Sequence, residues 1–206
     1  AIGIFFSLWY ANLVKKCIAE YFEDKAYRDP YKNVKFSCSS KKIILNDEQK
    51  AAYNSILELY KAKKYCVSLL YGITGSGKTS VFMRLIEDVI TDGSNVIVMV
   101  PEIALTPQMV TIFKSKFFDK VAVFHSGLSQ AERMDEYKRV KDGLVNVVVG
   151  TRSAVFAPFE KIGLIIMDEE QESSYKSDAT PRFNAREVAK FRCAYHKSLL
   201  LLSSAT

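Results

Sequence analysis

GITGSGKT, residues 72–79, decides how this chain is read. It satisfies G-x-x-x-x-G-K-[ST] at every fixed position, and its flanks supply the context that the pattern requires. The apolar run CVSLLY (66–71) leads into it and reads as a strand. The run after it carries Val81, Phe82, Leu85, Ile86, Val89 and Ile90 at helical spacing. That predicts an amphipathic helix ending at Asp92-Gly93. A glycine loop between strand and helix turns backbone N–H groups inward around a phosphate, and the helix N-terminus adds partial positive charge. Gly72, Thr74, Gly75, Ser76 and Gly77 are thus expected to cradle nucleotide phosphates. Lys78 is expected to reach the β- and γ-phosphates, and Thr79 to place its hydroxyl on Mg²⁺. The alternative is a glycine-rich turn that merely contains Lys-Thr, and the flanking pattern argues against it.

Outward from this loop, apolar β-rich runs alternate with helical patterns. NVIVMV (95–100), VAVFH (121–125), VNVVVG (145–150), GLIIMDEE (163–170) and SLLLLSSAT (198–206) predict further strands. Helices are expected after Asn46, where Gln49 completes a capping box, and after Thr106-Pro107. Two more are expected after Ser129, with Glu132 as its box partner, and over 185–196. Residues 171–184 read as a polar loop. The alternation predicts an α/β fold, a mostly parallel sheet with helices on both faces, over residues 43–206. Function is then expected at the carboxyl ends of the strands.

Composition sets bounds. The 206 residues suffice for one sizeable α/β domain, and 49% hydrophobic with 25% charged residues argues against disorder. A net charge of +6 permits a nucleic-acid partner without requiring one. Cys17, Cys38, Cys66 and Cys193 are far apart and form no C-x-x-C pair, so neither a zinc site nor a disulfide framework is indicated. A reducing cytoplasm is the simplest setting. No apolar run reaches membrane-spanning length. The opening AIGIFFSLWYANLV lacks the basic start and cleavage site of a signal peptide. Residues 1–42 are expected to form a helical appendage with an apolar face, followed by a basic linker. A first residue other than Met, and a last residue directly after an apolar run, are expected of a piece of something longer.

LIIMDEEQ (164–171) is the second chemical signal. Asp168 at the end of a buried strand is expected to hold Mg²⁺, and Glu169 to orient and deprotonate the water that attacks the γ-phosphate. Glu170 reads as structural. Acids are also common in surface turns after strands, but beside a P-loop the catalytic reading prevails.

A P-loop, then DEE-x, then a strand ending in Ser204-Ala205-Thr206 is the motif order of superfamily 2 helicases. PEIALTPQ (101–108), HSGLS (125–129), GTRSAVFAP (150–158), SSYK (173–176) and PRFNARE (181–187) narrow this further. They closely resemble the PriA family, the primosomal protein N′ replication-restart helicases of bacteria. The resemblance runs over residues 43–206 in order. It implies the first RecA-like P-loop NTPase lobe of an ATP- and Mg²⁺-dependent 3′→5′ DNA helicase, catalysed by Lys78, Asp168 and Glu169. It implies forked DNA and single-strand/duplex junctions as substrates, and single-stranded-DNA-binding protein and primosome proteins as partners. It places the protein in the bacterial cytoplasm at the nucleoid, with no membrane. Residues 1–42 resemble, weakly, the tail of a winged-helix region. Zinc is expected in full-length members, but its ligands are not in this chain. Another superfamily 2 translocase, a P-loop ATPase not acting on DNA, and a mere nucleotide- or partner-binding module are the competing readings.

Within the resemblance, Gln49 is expected to read the adenine edge, although the capping box competes for the same amide. Thr106 with its helix-start amides, and Thr151, Arg152 and Ser153, are offered to the DNA backbone. Ordinary capping and turn chemistry is the alternative for both groups. His125 reads as a hydrogen-bonded structural residue. Tyr175, Lys176, Arg182, Phe183 and Arg186 interleave aromatic and basic groups, which suits single-stranded DNA; packing is the alternative for the two aromatics. This loop is expected to couple DNA binding to Glu169. Gln171 stands where the family usually has His. It can relay a hydrogen bond between the nucleotide and Ser204 or Thr206, but it cannot titrate.

Overall fold

The computed structural model describes residues 43–205 except Ala179 and Pro181. The expected appendage and linker over 1–42, and Thr206, lie outside the described residues.

Local chemistry starts each helix where the sequence predicts. Helix α1 (Asp47–Lys61) opens on a complete capping box. The Asn46 side chain accepts from the Gln49 amide at 2.8 Å, and Gln49 Oε1 accepts from the Asn46 amide at 3.1 Å. Strand β1 (Cys66–Tyr71) leads through the glycine loop into α2 (Lys78–Thr91). Val81, Phe82, Leu85, Ile86 and Val89 of α2 are buried and Ile90 is half-buried, with Asp92 as C-cap. Strand β2 (Asn95–Met99) precedes α3 (Pro107–Phe117), whose N-cap Thr106 accepts from the Met109 amide at 3.2 Å. Strand β3 (Val121–Phe124) precedes α4 (Gln130–Lys141), which opens on the Ser129–Glu132 capping box. Then come β4 (Val147–Gly150) and β5 (Ile162–Met167). The polar loop expected over 171–184 is more structured than its composition suggests. It holds a 3₁₀ turn at Ser173–Tyr175 and a small antiparallel pair, β6 (Lys176–Ser177) with β7 (Phe183–Asn184). Helix α5 (Ala185–His196) and β8 (Leu199–Ser204) complete the chain.

The main sheet has the order β1-β8-β5-β2-β4-β3 with every pair parallel. The inner strands are apolar along their middles, with polar residues only at an end (Asn95 opening β2, Ser203 and Ser204 closing β8), because helices cover both faces. Val96, Val98, Leu164, Ile166, Leu199 and Leu201 pack under α1, α2 and α3. Ile97, Met99, Ile165, Met167, Leu200 and Leu202 pack on the other side, against α5 and the 3₁₀ turn Arg152–Phe156. The two edges differ. On β3 the buried carboxylate of Glu136 accepts from the Val123 amide at 2.8 Å and pairs with Arg139 at 2.6 Å. Burial pushes that carboxyl up, with Arg139 opposing. On β1 the side chains of Val67, Leu69 and Tyr71 point out and are 43%, 56% and 65% exposed, so an apolar run here does not mean a strand buried on both faces.

One topological fact positions the site. Strand β8 lies between β1 and β5, so the last residues of β8 stand between the glycine loop and the acidic run. The Gly72 amide donates to the Ser204 carbonyl at 3.1 Å, and the Glu170 amide to the Ser203 carbonyl at 2.9 Å.

Candidate nucleotide site and the loop beside it

The glycine loop turns because two of its residues adopt conformations closed to most side chains. Gly75 has φ +82° and Gly77 has φ +83°. The Ser76 amide donates to the Ile73 carbonyl at 3.1 Å, closing the turn. Gly77 then serves as N-cap of α2, so the first amides of a fourteen-residue helix face the loop. Thr74, Gly75 and Ser76 are exposed, and Thr79 is half-buried in the first turn of α2. The Lys78 ammonium donates to the Gly72 carbonyl and lies 3.8 Å from Glu169 Oε1. Folding has thus joined the two chemical signals of the sequence.

Gln49 spans two tasks. Its Oε1 holds the capping box, while Nε2 donates to the Ser76 carbonyl at 2.9 Å. Both ends of the amide therefore serve the protein in this structure. Beside it lies a cleft of about 140 Å³, lined by Gln49, Ala52, Leu70, Tyr71, Gly72 and Lys78 among others.

Asp168 sits half-buried at the end of β5. Its Oδ1 accepts from the Ser203 hydroxyl at 2.7 Å and from the Glu169 amide at 3.1 Å. Burial raises its carboxyl above the ordinary range; Ser203 pulls it back and Glu169 pushes it up again. Both bonds fall on Oδ1, which leaves Oδ2 as the oxygen to offer a cation. Glu169 has φ +45°, a left-handed conformation that costs energy in a residue with a Cβ. Its Oε2 accepts from Gln171 Nε2 at 2.8 Å, and Gln171 Oε1 accepts from the Ser204 hydroxyl at 3.0 Å. A continuous polar chain thus runs from Lys78 through Glu169 and Gln171 to the end of β8. Glu170 is paired instead with Arg186, at 2.7 Å.

The structure corrects the stacking role expected of Tyr175 in the adjoining loop. Tyr175 is only 3% exposed and cannot stack on a base. Its hydroxyl donates toward the carbonyls of Asp168, at 2.5 Å, and Met99, at 3.1 Å. Burial raises the phenol far above its ordinary range, so it stays a donor. Arg152 is half-buried, and one of its guanidinium nitrogens is already engaged. Its Nη1 donates to the carbonyls of Ser174, at 3.2 Å, and Lys176, at 2.9 Å. The other members vary. Lys176 and Arg182 are exposed, and Phe183 is half-buried with its ring edge-on to Phe156 at 4.9 Å. Thr151 is buried, Ser153 is exposed, and Thr106 is occupied as an N-cap. His125 is half-buried, and its Nδ1 accepts from the Gly127 amide at 3.1 Å.

Sequence reasoning missed Ser203 and Phe156. Ser203 directly precedes the quoted Ser204, and Phe156 lies inside GTRSAVFAP. Nothing local marked either as a partner of the acidic run or of its loop. Among the described residues no group of three or more His, Cys, Asp and Glu could hold a metal by itself, and no helix is long and apolar enough to cross a membrane.

Residues 46–206 match the DEAD/DEAH box helicase family. The chain is similar to replication restart protein PriA of Bacillus subtilis (strain 168), 47% identical over 195 residues, which cover 95% of this chain and 24% of the relative. It is 45% identical over 163 residues to PriA of Synechocystis sp., covering 79% of this chain and 19% of the relative. The chain thus spans a quarter or less of these relatives' lengths. Among solved structures, RecG bound to a three-way DNA junction aligns with a TM-score of 0.63 and 27% identity, over 81% of this chain and 22% of that one. The Pyrococcus furiosus Hef helicase domain aligns with a TM-score of 0.55 over 79% of this chain and 33% of its own; at 20% identity it speaks to the fold alone. These neighbours share the RecA-like arrangement of a parallel sheet between helices.

Proposed function

Because the chain belongs to the DEAD/DEAH box helicase family, with PriA replication restart proteins among its relatives, we propose that it is the first motor lobe of an ATP-driven 3′→5′ DNA helicase acting at abandoned replication forks. The observation that carries this reading is the meeting of Lys78 and Glu169, 3.8 Å apart, from loops far apart in sequence.

The residues divide the work as follows. Gly72, Thr74, Gly75, Ser76 and Gly77 offer backbone amides to the nucleotide phosphates, and Lys78 turns from the Gly72 carbonyl to the β- and γ-phosphates. Glu169 holds the attacking water and takes its proton. A carboxylate and a hydroxyl are hard oxygen donors, so Asp168 and Thr79 fit Mg²⁺ and are the residues to hold it. When bound, Mg²⁺ neutralises charge on the phosphates. Gln49 reads the adenine edge by giving up one of its two present bonds, and the adjacent cleft admits a flat base. Gln171 relays between Glu169 and Ser204. Lys176, Arg182 and Phe183 meet the DNA strand; Ser153 and the amides at the start of α3 meet its phosphates.

Helicase sites of this type lie between two lobes, and an arginine supplied by the second is worth about 10³–10⁵ in rate. These 206 residues alone are therefore expected to bind Mg·ATP weakly and hydrolyse it very slowly. Zinc, single-stranded-DNA-binding protein and primosome proteins belong to the proposal for the longer parent, not to residues of this chain.

The test is the ATPase rate of the full-length parent with and without forked DNA at fixed salt, beside Glu169→Gln. Stimulation by DNA that Glu169→Gln abolishes is the expected result. Turnover indifferent to DNA would favour a P-loop ATPase of another kind.

A further inference from the structure

The turn Arg152–Phe156 is tied to both limbs of the loop that follows the acidic run. Arg152 Nη1 donates to the carbonyls of Ser174 and Lys176 on the entering limb, 3.2 and 2.9 Å away. These two residues flank Tyr175, whose hydroxyl rests on the Asp168 carbonyl at 2.5 Å. On the returning limb the Phe156 ring meets Phe183 edge-on at 4.9 Å. Behind them, Arg192 of α5 donates to the Val155 carbonyl at 2.5 Å. One short turn therefore braces the loop from entry to exit, and it carries the exposed Ser153.

We propose that Arg152 is a positioning residue that transmits DNA contact at the adjoining, exposed Ser153 to the Asp168–Glu169 pair through the backbone of residues 174–176. The inference rests on the helicase reading above. Physically, two hydrogens on one guanidinium nitrogen hold two carbonyls in a fixed spacing. That spacing presents the Tyr175 hydroxyl to Asp168. A DNA strand that shifts the turn moves the Ser174 and Lys176 carbonyls with it, and Tyr175 carries the shift to the end of β5. Arg152 touches neither nucleotide nor phosphate in this scheme. A lysine ammonium is a compact point charge without the planar fork and keeps the bracing only in part.

The experiment uses the full-length parent with Arg152→Ala and Arg152→Lys. It measures the DNA-saturated ATPase rate, DNA affinity against salt, and hydrogen exchange of the peptide spanning residues 171–184. Positioning predicts that Arg152→Ala lowers the DNA-saturated rate about tenfold, the scale of a hydrogen bond to a charged group. DNA affinity and its salt dependence stay near wild type, exchange in 171–184 rises, and Arg152→Lys recovers part of each loss. A phosphate ligand would behave otherwise: affinity would weaken, the salt slope would fall by about 1, and the saturated rate and exchange would hold. That outcome overturns the inference, as does an unaltered Arg152→Ala in a parent that DNA stimulates. Should Arg152→Ala fail to fold, Arg152→Lys with a wild-type saturated rate and weakened affinity overturns it equally. A wild-type parent that DNA does not stimulate overturns the helicase reading itself, and the transmission with it.

Discussion

Two loops meet at the carboxyl ends of the sheet, and they are held in different ways. The glycine loop, residues 72–79, is largely self-shaped. Its turn comes from Gly75 and Gly77 at positive φ and from a bond between Ser76 and Ile73. Its outside clamps are the Gln49 amide on the Ser76 carbonyl and the Ser204 carbonyl on the Gly72 amide. The acidic run and the loop after it are shaped by the rest of the molecule. Ser203 holds Asp168, Gln171 links Glu169 to Ser204, and Glu170 pairs with Arg186. Tyr175 reaches back to Met99, and Arg152 holds the carbonyls on either side of it. The phosphate cradle has a geometry that tolerates little variation, and glycine conformation supplies most of it, with two clamps from outside. The acidic loop has to respond to something outside itself, and contacts with several elements give it that means.

Mutations in the two loops should therefore have different consequences. The largest effect is expected from Lys78→Ala, which removes the ammonium that lies 3.8 Å from Glu169. ATPase of the full-length parent should fall by about 10²–10³, as when one transition-state donor is lost, while its melting temperature holds. A parallel loss of fold would show that the glycine loop depends on Lys78 for its shape. Next in size is Gly77→Ala. An added Cβ would stand 2.4 Å from Gln49 Nε2, in a backbone conformation unfavourable to any Cβ. Gly75→Ala meets nothing within 4 Å and suffers the backbone cost alone. That cost is about 1–2 kcal/mol, and denaturant unfolding should rank Gly77→Ala as the more destabilised of the pair. Equal losses would mean that Gln49 does not clamp the loop.

Tyr175→Phe addresses the other loop. The ring keeps its packing and only the hydroxyl goes, so stability should fall by about 1 kcal/mol. DNA stimulation of ATPase should fall further than basal turnover, because Asp168 loses its link to the loop. A change in stability alone would reduce Tyr175 to packing.

The smallest effect is expected outside both loops, at His125. Burial is the main cause that holds its imidazole below the ordinary 6.5, with Arg133 adding to it and Glu132 opposing. The folded state thus disfavours the proton. The stability contribution is complete above 6.5 and is lost as pH falls through 6.5 toward the lower folded value. Protonation at Nδ1 also removes the acceptor for the Gly127 amide. Unfolding free energy measured from pH 8 to 5 should decline below 6.5, and His125→Gln should flatten part of the slope. His196, also held low chiefly by burial, carries a further part.

What a reader of the sequence can see is what neighbouring residues decide among themselves. The capping boxes at Asn46 and Ser129, the Thr106 cap, the bounds of α5 and the glycine loop all appear where the spacing puts them. Each depends on backbone conformation and on bonds three or four residues long, and a short window contains both partners. Tyr175 shows the opposite case. It sits in SSYKS, a polar run that reads as surface, yet it is buried because carbonyls of Met99 and Asp168 lie where its hydroxyl can reach them. Nothing local to Arg152 marks the Ser174 and Lys176 carbonyls that its Nη1 holds. A phosphate loop, a carboxylate pair and a parallel sheet between helices are all legible in the order of residues. The insertion of β8 between β1 and β5, the open edge at β1, and which of the loop's aromatic and basic groups face solvent emerge only from the folded chain. The reason is physical: strand order and burial arise from matching apolar surfaces and polar partners across the whole chain, and no local pattern encodes the partner.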